Sequence, residues 1–200
     1  MTLTSRLSNM PSIVIVYSVL LLSFALHIFI LLRKETIMTE NTNSIILASE
    51  VEASKEALKN APLAVKSRVA EAGMFASVNE PDEFRRKALT YNATQEALPM
   101  RSLIDSGEVI KPMGVIVRVD QIEQEQKDGS IVIENVPCVI IIDDNGVAYM
   151  SHSAMILNSI AALITTYGAD VADWPEGIRL SVIEVRSNKG RLFHRLKIVF

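Results

Sequence analysis

From Met113 onward, apolar and polar positions change in short runs that predict three strands, a helix and two further strands. The runs are MGVIVRVDQIEQ, SIVIENVPCVIIIDD, GVAYMS, SAMILNSIAALITTY, IRLSVIEVRS and GRLFHRLKIVF. In the first, Val115, Val117 and Val119 alternate with Ile116, Arg118 and Asp120, an apolar pattern blurred at Ile116 as on a strand covered on both sides. The second runs through Pro137, whose missing N–H predicts a bulge, a bend or an edge position. Asp143, Asp144, Asn145 and Gly146 predict a hairpin turn, which accounts for the adjacent carboxylates without a catalytic or metal role. Ser151 or Ser153 stands where it can cap the helix, whose stripe of Ile156 or Leu157, Ile160, Ala161 and Ile164 ends at Gly168. In the fourth strand Ile183 and Val185 fall out of phase with Ile178, Leu180 and Val182, predicting a bulge after Val182.

This order of elements is that of a five-stranded Greek-key barrel with a helix between strands three and four, the oligonucleotide-binding (OB) architecture. The expected fold class is mainly β: such an OB-fold barrel preceded by a helical N-terminal region. Upstream, Val51, Ala53, Ala57, Leu58, Ala61, Val65 and Val69 support one or two weak helices interrupted at Pro62. Pro81, Asp82 and Glu83 form a helix start feeding EFRRKALTYNATQEA, with Phe84, Ala88 and Tyr91 along one face.

The first residues change the picture again. Pro11 to Leu32 carry no formal charge and suffice to span a bilayer as a helix, so residues 1–37 read as a transmembrane segment or as a non-native upstream extension ahead of Met38. The expected layout is that segment, a polar helical or partly disordered leader over 38–90, and an OB-fold nucleic-acid-binding domain over 91–200.

Composition narrows the chemistry. With 49% apolar and 22% charged residues and a net charge of -3, the chain has a globular composition without an overall polyanion-binding charge. The single cysteine, Cys138, rules out an intramolecular disulfide and reads as a small buried hydrophobe, with a reactive or intermolecular thiol as the competing reading. His27, His152 and His194 are scattered, with no metal-ligand spacing. Ser151, His152 and Ser153 lack a GxSxG element, so no catalytic, cofactor-binding or metal-ligating residue is assigned and the chain is expected not to be an enzyme.

The charge becomes local toward the C-terminus. From Arg179 onward six Lys or Arg residues face the one carboxylate of Glu184, and Arg191, Phe193, Arg195 and Lys197 share a strand face. Cations that follow phosphates and a ring that stacks on bases are what a single-stranded nucleic acid needs. Arg179, Lys189 and Trp174 join that set of candidate contacts.

The Asp-Asn-Gly turn, GVAYMSHS, the Tyr-Gly helix stop, the Trp-Pro-Glu-Gly loop and KGRLFHRLKIVF, taken in order, resemble the OB-fold single-stranded DNA-binding proteins of bacteriophages. The likeness covers about Tyr91 to Phe200 and adds Tyr149 to the candidate contacts. It implies non-catalytic, largely sequence-independent single-stranded DNA binding in phage replication or recombination, in the cytoplasm of the bacterial host. The implied partners are single-stranded DNA, replication or recombination proteins and a second copy of the chain. The competing reading is a membrane-anchored protein-interaction domain built on a small β-barrel, cytoplasmic at its C-terminal side, with the membrane a partner only if residues 1–37 are retained.

Overall fold

The structure, a computed structural model, describes residues 48–125, 129–186 and 192–199, all within the unit Ile46–Phe200. Two helices come first, α1 (Ala48–Lys59) and α2 (Leu63–Ala72), separated at Pro62. Gly73 ends α2 in the left-handed region, φ 74°, and the chain turns directly into strand β1 (Met74–Val78). Helix α3 (Glu83–Glu96) starts where Asp82 accepts the Arg85 N–H at 2.8 Å. Short pieces follow: β2 (Leu98–Pro99), α4 (Ser102–Ser106) and β3 (Val109–Ile110). The long strands β4 (Pro112–Glu125) and β5 (Ile131–Asp143) lead to β6 (Ala148–Ser151), α5 (Ala154–Tyr167), β7 (Arg179–Arg186) and β8 (Leu192–Val199).

These strands form two open sheets, one of five strands in the order β1-β4-β5-β6-β2 and one of three in the order β3-β7-β8. The expected closed five-stranded OB barrel is therefore overturned: the described strands of one sheet do not pair with those of the other. The physical reason lies in β5. From Val136 to Ile142 every residue is buried, so both faces of the strand need an apolar cover, whereas a barrel wall buries one face and wets the other. Among the described residues five α-helices, rather than one inserted between strands three and four, meet that need in part.

The odd-numbered face of β4 and β5, with Val115, Val117, Val139 and Ile141, packs in one core with α1, α2, α5 and the inner side of β7 and β8. Val51, Ala57, Ala61, Val65 and Val69, which the pattern placed in weak helices, are buried, the last four of them in this core. The even-numbered face, with Ile116, Cys138, Ile140 and Ile142, packs against Ala93 and Leu89 of α3 and against Ala97 just past its end. Helix α3 thus buries a face other than the one expected, and Phe84 and Tyr91 are 81% and 67% exposed. Gly114 leaves room for the side chains of its partners on the two flanking strands, since a Cβ there would lie 3.0 Å from Val78 Cγ2 on β1 and 3.2 Å from Ile142 Cδ1 on β5.

Local turn chemistry matches expectation where it is self-contained. Asp143 accepts the N–H groups of Asn145 and Val147 at 2.9 and 2.8 Å, and Gly146 takes φ 81°. Pro137 sits opposite Val119 in unbroken register, in a stretch where β6 no longer flanks β5, so the edge position applies and no bulge forms. The bulge expected after Val182 is also absent, because β7 and β8 pair continuously from Arg179 to Arg186. Among the described residues no helix is long and apolar enough to cross a membrane, and Pro11 to Leu32 lie outside them. Without a barrel, the membrane-anchored β-barrel reading loses its architecture as well.

Candidate metal centre

Register on the five-stranded sheet brings together residues that are far apart in sequence. Arg118 on β4 lies opposite Cys138 on β5, and the pairing of Val139 with Ser151 puts Cys138 beside His152, just past the end of β6. Asp120, two residues beyond Arg118, projects to the same face because side chains alternate along a strand. Ligand atoms of Asp120, Cys138 and His152 consequently lie within 4.8 Å of one another.

Neighbouring elements hold each side chain. His152 Nε2 is 3.0 Å from Asp120 Oδ2, and the His152 carbonyl accepts a 2.6 Å hydrogen bond from Ser54 of α1, whose side chain is fully buried. Arg118 Nη1 donates at 2.9 Å to the Thr94 carbonyl in the last turn of α3, where exposed carbonyls favour a cation. Its Nη2 donates to Asp120 at 3.4 Å, while Nε approaches Oδ1 at 2.7 Å without the alignment of a hydrogen bond. Arg118 therefore connects α3 to the carboxylate.

The electrostatics follow from this packing. Burial alone would raise the Asp120 carboxyl, but the hydrogen bond from His152 and the charges of Arg118 and His152 outweigh it and hold the group below its ordinary value. Burial pushes the Cys138 thiol up to about 12, the Asp120 charge adding to the rise and Arg118 opposing it. A thiol in that state is protonated and inert toward electrophiles. The hydrogen bond described for its Sγ is a weak one to the Val139 carbonyl at 3.9 Å. A Cys-His-Asp nucleophile relay would instead have histidine on the thiol, whereas here Nε2 faces the carboxylate.

The residues expected to contact nucleic acid do not form one groove. Tyr149 and Trp174 are 5% and 6% exposed in the main core, and Trp174 Nε1 donates to the Gly168 carbonyl at 2.9 Å, so neither ring is free to stack on a base. Arg179, Phe193, Arg195 and Lys197 share the outer face of the open three-stranded sheet, where Ile183 pairs with Arg195 and Val185 with Phe193. Lys189 and Arg191 lie outside the described residues. Without the barrel and its stacking rings, the expected single-stranded DNA-binding function and the resemblance that implied it are overturned.

No protein-family model, curated protein or solved structure matches this chain. The Asp120–Cys138–His152 cluster is invisible to spacing rules, because its members sit on two paired strands and just past the end of a third rather than on one helix or knuckle. The available sequence signal was the polar interruption of an otherwise apolar face: Arg118 and Asp120 after Ile116, and Cys138 before Ile140.

Proposed function

We propose that this protein binds a transition-metal ion of the zinc class through Asp120, Cys138 and His152. The observation that carries the reading is the convergence of three different ligand atoms within 4.8 Å on one sheet face. Carboxylate, thiolate and imidazole together suit zinc, which accepts oxygen, sulfur and nitrogen and has no geometric preference of its own. Zinc bonds to nitrogen and oxygen of about 2.0–2.1 Å put tetrahedral neighbours roughly 3.3–3.4 Å apart, so the 3.0 Å separation of Nε2 and Oδ2 needs to open by only a few tenths of an ångström.

The surroundings support the same reading. Arg118 orients Asp120 and Ser54 fixes the backbone of His152, as outer-shell partners of metal ligands do. Binding of the ion would displace the Cys138 proton, and the thiolate so formed, with the ionised aspartate, would offset the two charges of the metal beside Arg118. Three protein ligands leave a fourth position for water or an external ligand, and the imidazole and carboxylate side chains are 17% and 20% exposed, which gives the ion a way in.

The test is cobalt(II) and zinc titration of the full chain. Stoichiometric zinc uptake is expected, together with a thiolate-to-cobalt charge-transfer band that Cys138→Ser abolishes and His152→Ala weakens. A folded wild-type protein that takes up no zinc and shows no such band overturns the proposal.

A further inference from the structure

Strands β4 and β5 are longer than the sheet that contains them. β1 pairs only with Gly114 to Arg118 and β6 only with Val139 to Ile142, so beyond those points the two strands continue as a ribbon with no strand on either side among the described residues. An isolated two-stranded ribbon is marginal in water unless an apolar face is covered. On one face this one exposes Ile131 at 66%, Ile133 at 62% and Val119 at 38%, with Val132, half-exposed, on the other. The first three are odd-numbered and so point to one face by the alternation along a strand.

At the base of that face lies a groove of about 400 Å³ between the ribbon and the first two helices, floored by Val119, Pro137 and Leu58 and rimmed by Lys59 and Lys66. Among the described residues Lys59 has only an exposed 3.5 Å contact with Glu56, and Lys66 makes no ion pair. Toward the other end of the face Glu123, paired across the ribbon with Ile133, is exposed and also lacks an ion-pair partner among them. The face thus has an apolar, acidic outer part and an apolar, basic inner part.

We infer that this face is the interface of a two-fold dimer in which the ribbons of two copies of the chain pack antiparallel, outer part on inner part. The rows across the face are Val119 with Pro137, Gln121 with Asn135, Glu123 with Ile133, and Ile131. With rows about 6.7 Å apart, a two-fold axis between the second and third brings Ile131 of each copy over the partner's groove. The same axis carries Glu123 toward the partner's lysine-rimmed end. The surface is self-complementary in shape and charge, the requirement of an isologous contact. A flat parallel stacking would instead set lysine on lysine.

Sedimentation velocity of the full chain across the micromolar range tests this. The wild type is expected to reach a dimer, and the Ile131→Asp, Ile133→Asp double variant to remain monomeric with an unchanged circular dichroism spectrum. Both side chains are exposed, so the fold does not depend on them. Glu123→Lys is expected to weaken the dimer at least about tenfold, and adding Lys59→Glu and Lys66→Glu to recover it. A monomeric wild type, or a dimer that survives the double aspartate variant, overturns the inference.

Discussion

The two faces of β4 and β5 are made by alternate residues of the same strands, yet they do different work. The odd face is apolar along its sheet-embedded length and meets helices and a second sheet, so its positions are held from several directions. The even face is apolar from Ile140 to Ile142, then changes at Cys138, Arg118 and Asp120, where α3, the one helix that covers it among the described residues, ends. Polar groups are tolerated there because the end of a helix supplies a carbonyl for Arg118 and the open side leaves room for His152. A site on a buried sheet therefore needs a place where the covering layer stops.

That contrast can be broken by mutation. Ile141 and Ile140 are neighbours, both fully buried, and point to opposite faces. Ile141→Ala is expected to cost about 4–5 kcal/mol in urea unfolding, near the top of the range for such truncations, because the several elements around it cannot all relax into the cavity. Ile140→Ala, on the α3 side, is expected nearer about 2–3 kcal/mol. The reverse order would mean that the α3 side is the more rigid cover.

Asp120→Ala tests the polar end of the even face. It leaves Arg118 without its carboxylate in a partly buried site, and a loss of roughly 2–3 kcal/mol is expected, below that of a fully buried pair because water reaches this one. Arg118→Met in the same background should recover part of it, since the stranded charge is then gone. An Asp120→Ala protein as stable as wild type would mean that the cluster contributes no net stability to the sheet.

Trp174→Phe probes the odd-face core at its margin. The ring volume largely remains while the hydrogen bond to the Gly168 carbonyl is lost, so about 1 kcal/mol is expected in the same assay. The smallest effect belongs to Lys55, raised above its ordinary value of 10.5 chiefly by its hydrogen bond to Glu134 and then by Glu52. A group whose folded value is raised stabilises the fold at pH below 10.5 and loses that contribution as pH rises through the folded value. The urea midpoint should fall slightly on the alkaline side of 10.5 in wild type, and Lys55→Met should remove that slope.

The alternation in MGVIVRVD, the helical stripe from Ile156 to Ile164, the Asp-Asn-Gly turn and the helix start around Pro81 to Glu83 were all legible because each depends on residues within a few positions of one another. Strand β1 was hidden inside what read as a helical leader. Its five residues, MFASV, carry little pattern of their own and become a strand through pairing with β4. The stacking role assigned to Trp174 failed because a loop tryptophan looks the same in sequence whether its ring faces water or a core.

The sequence by itself determined where the long strands from Met113 onward and the longer helices run and how several of them end, since propensity and turn chemistry act over a few residues. It also held, in the run from Val136 to Ile142, the demand for a strand covered on both faces. Only the tertiary structure decided that the strands form two open sheets, that α3 supplies the second cover, and that Asp120, Cys138 and His152 meet. Those outcomes depend on register between strands, where a slip of one residue would send every side chain to the opposite face, and register is fixed by packing across the whole core.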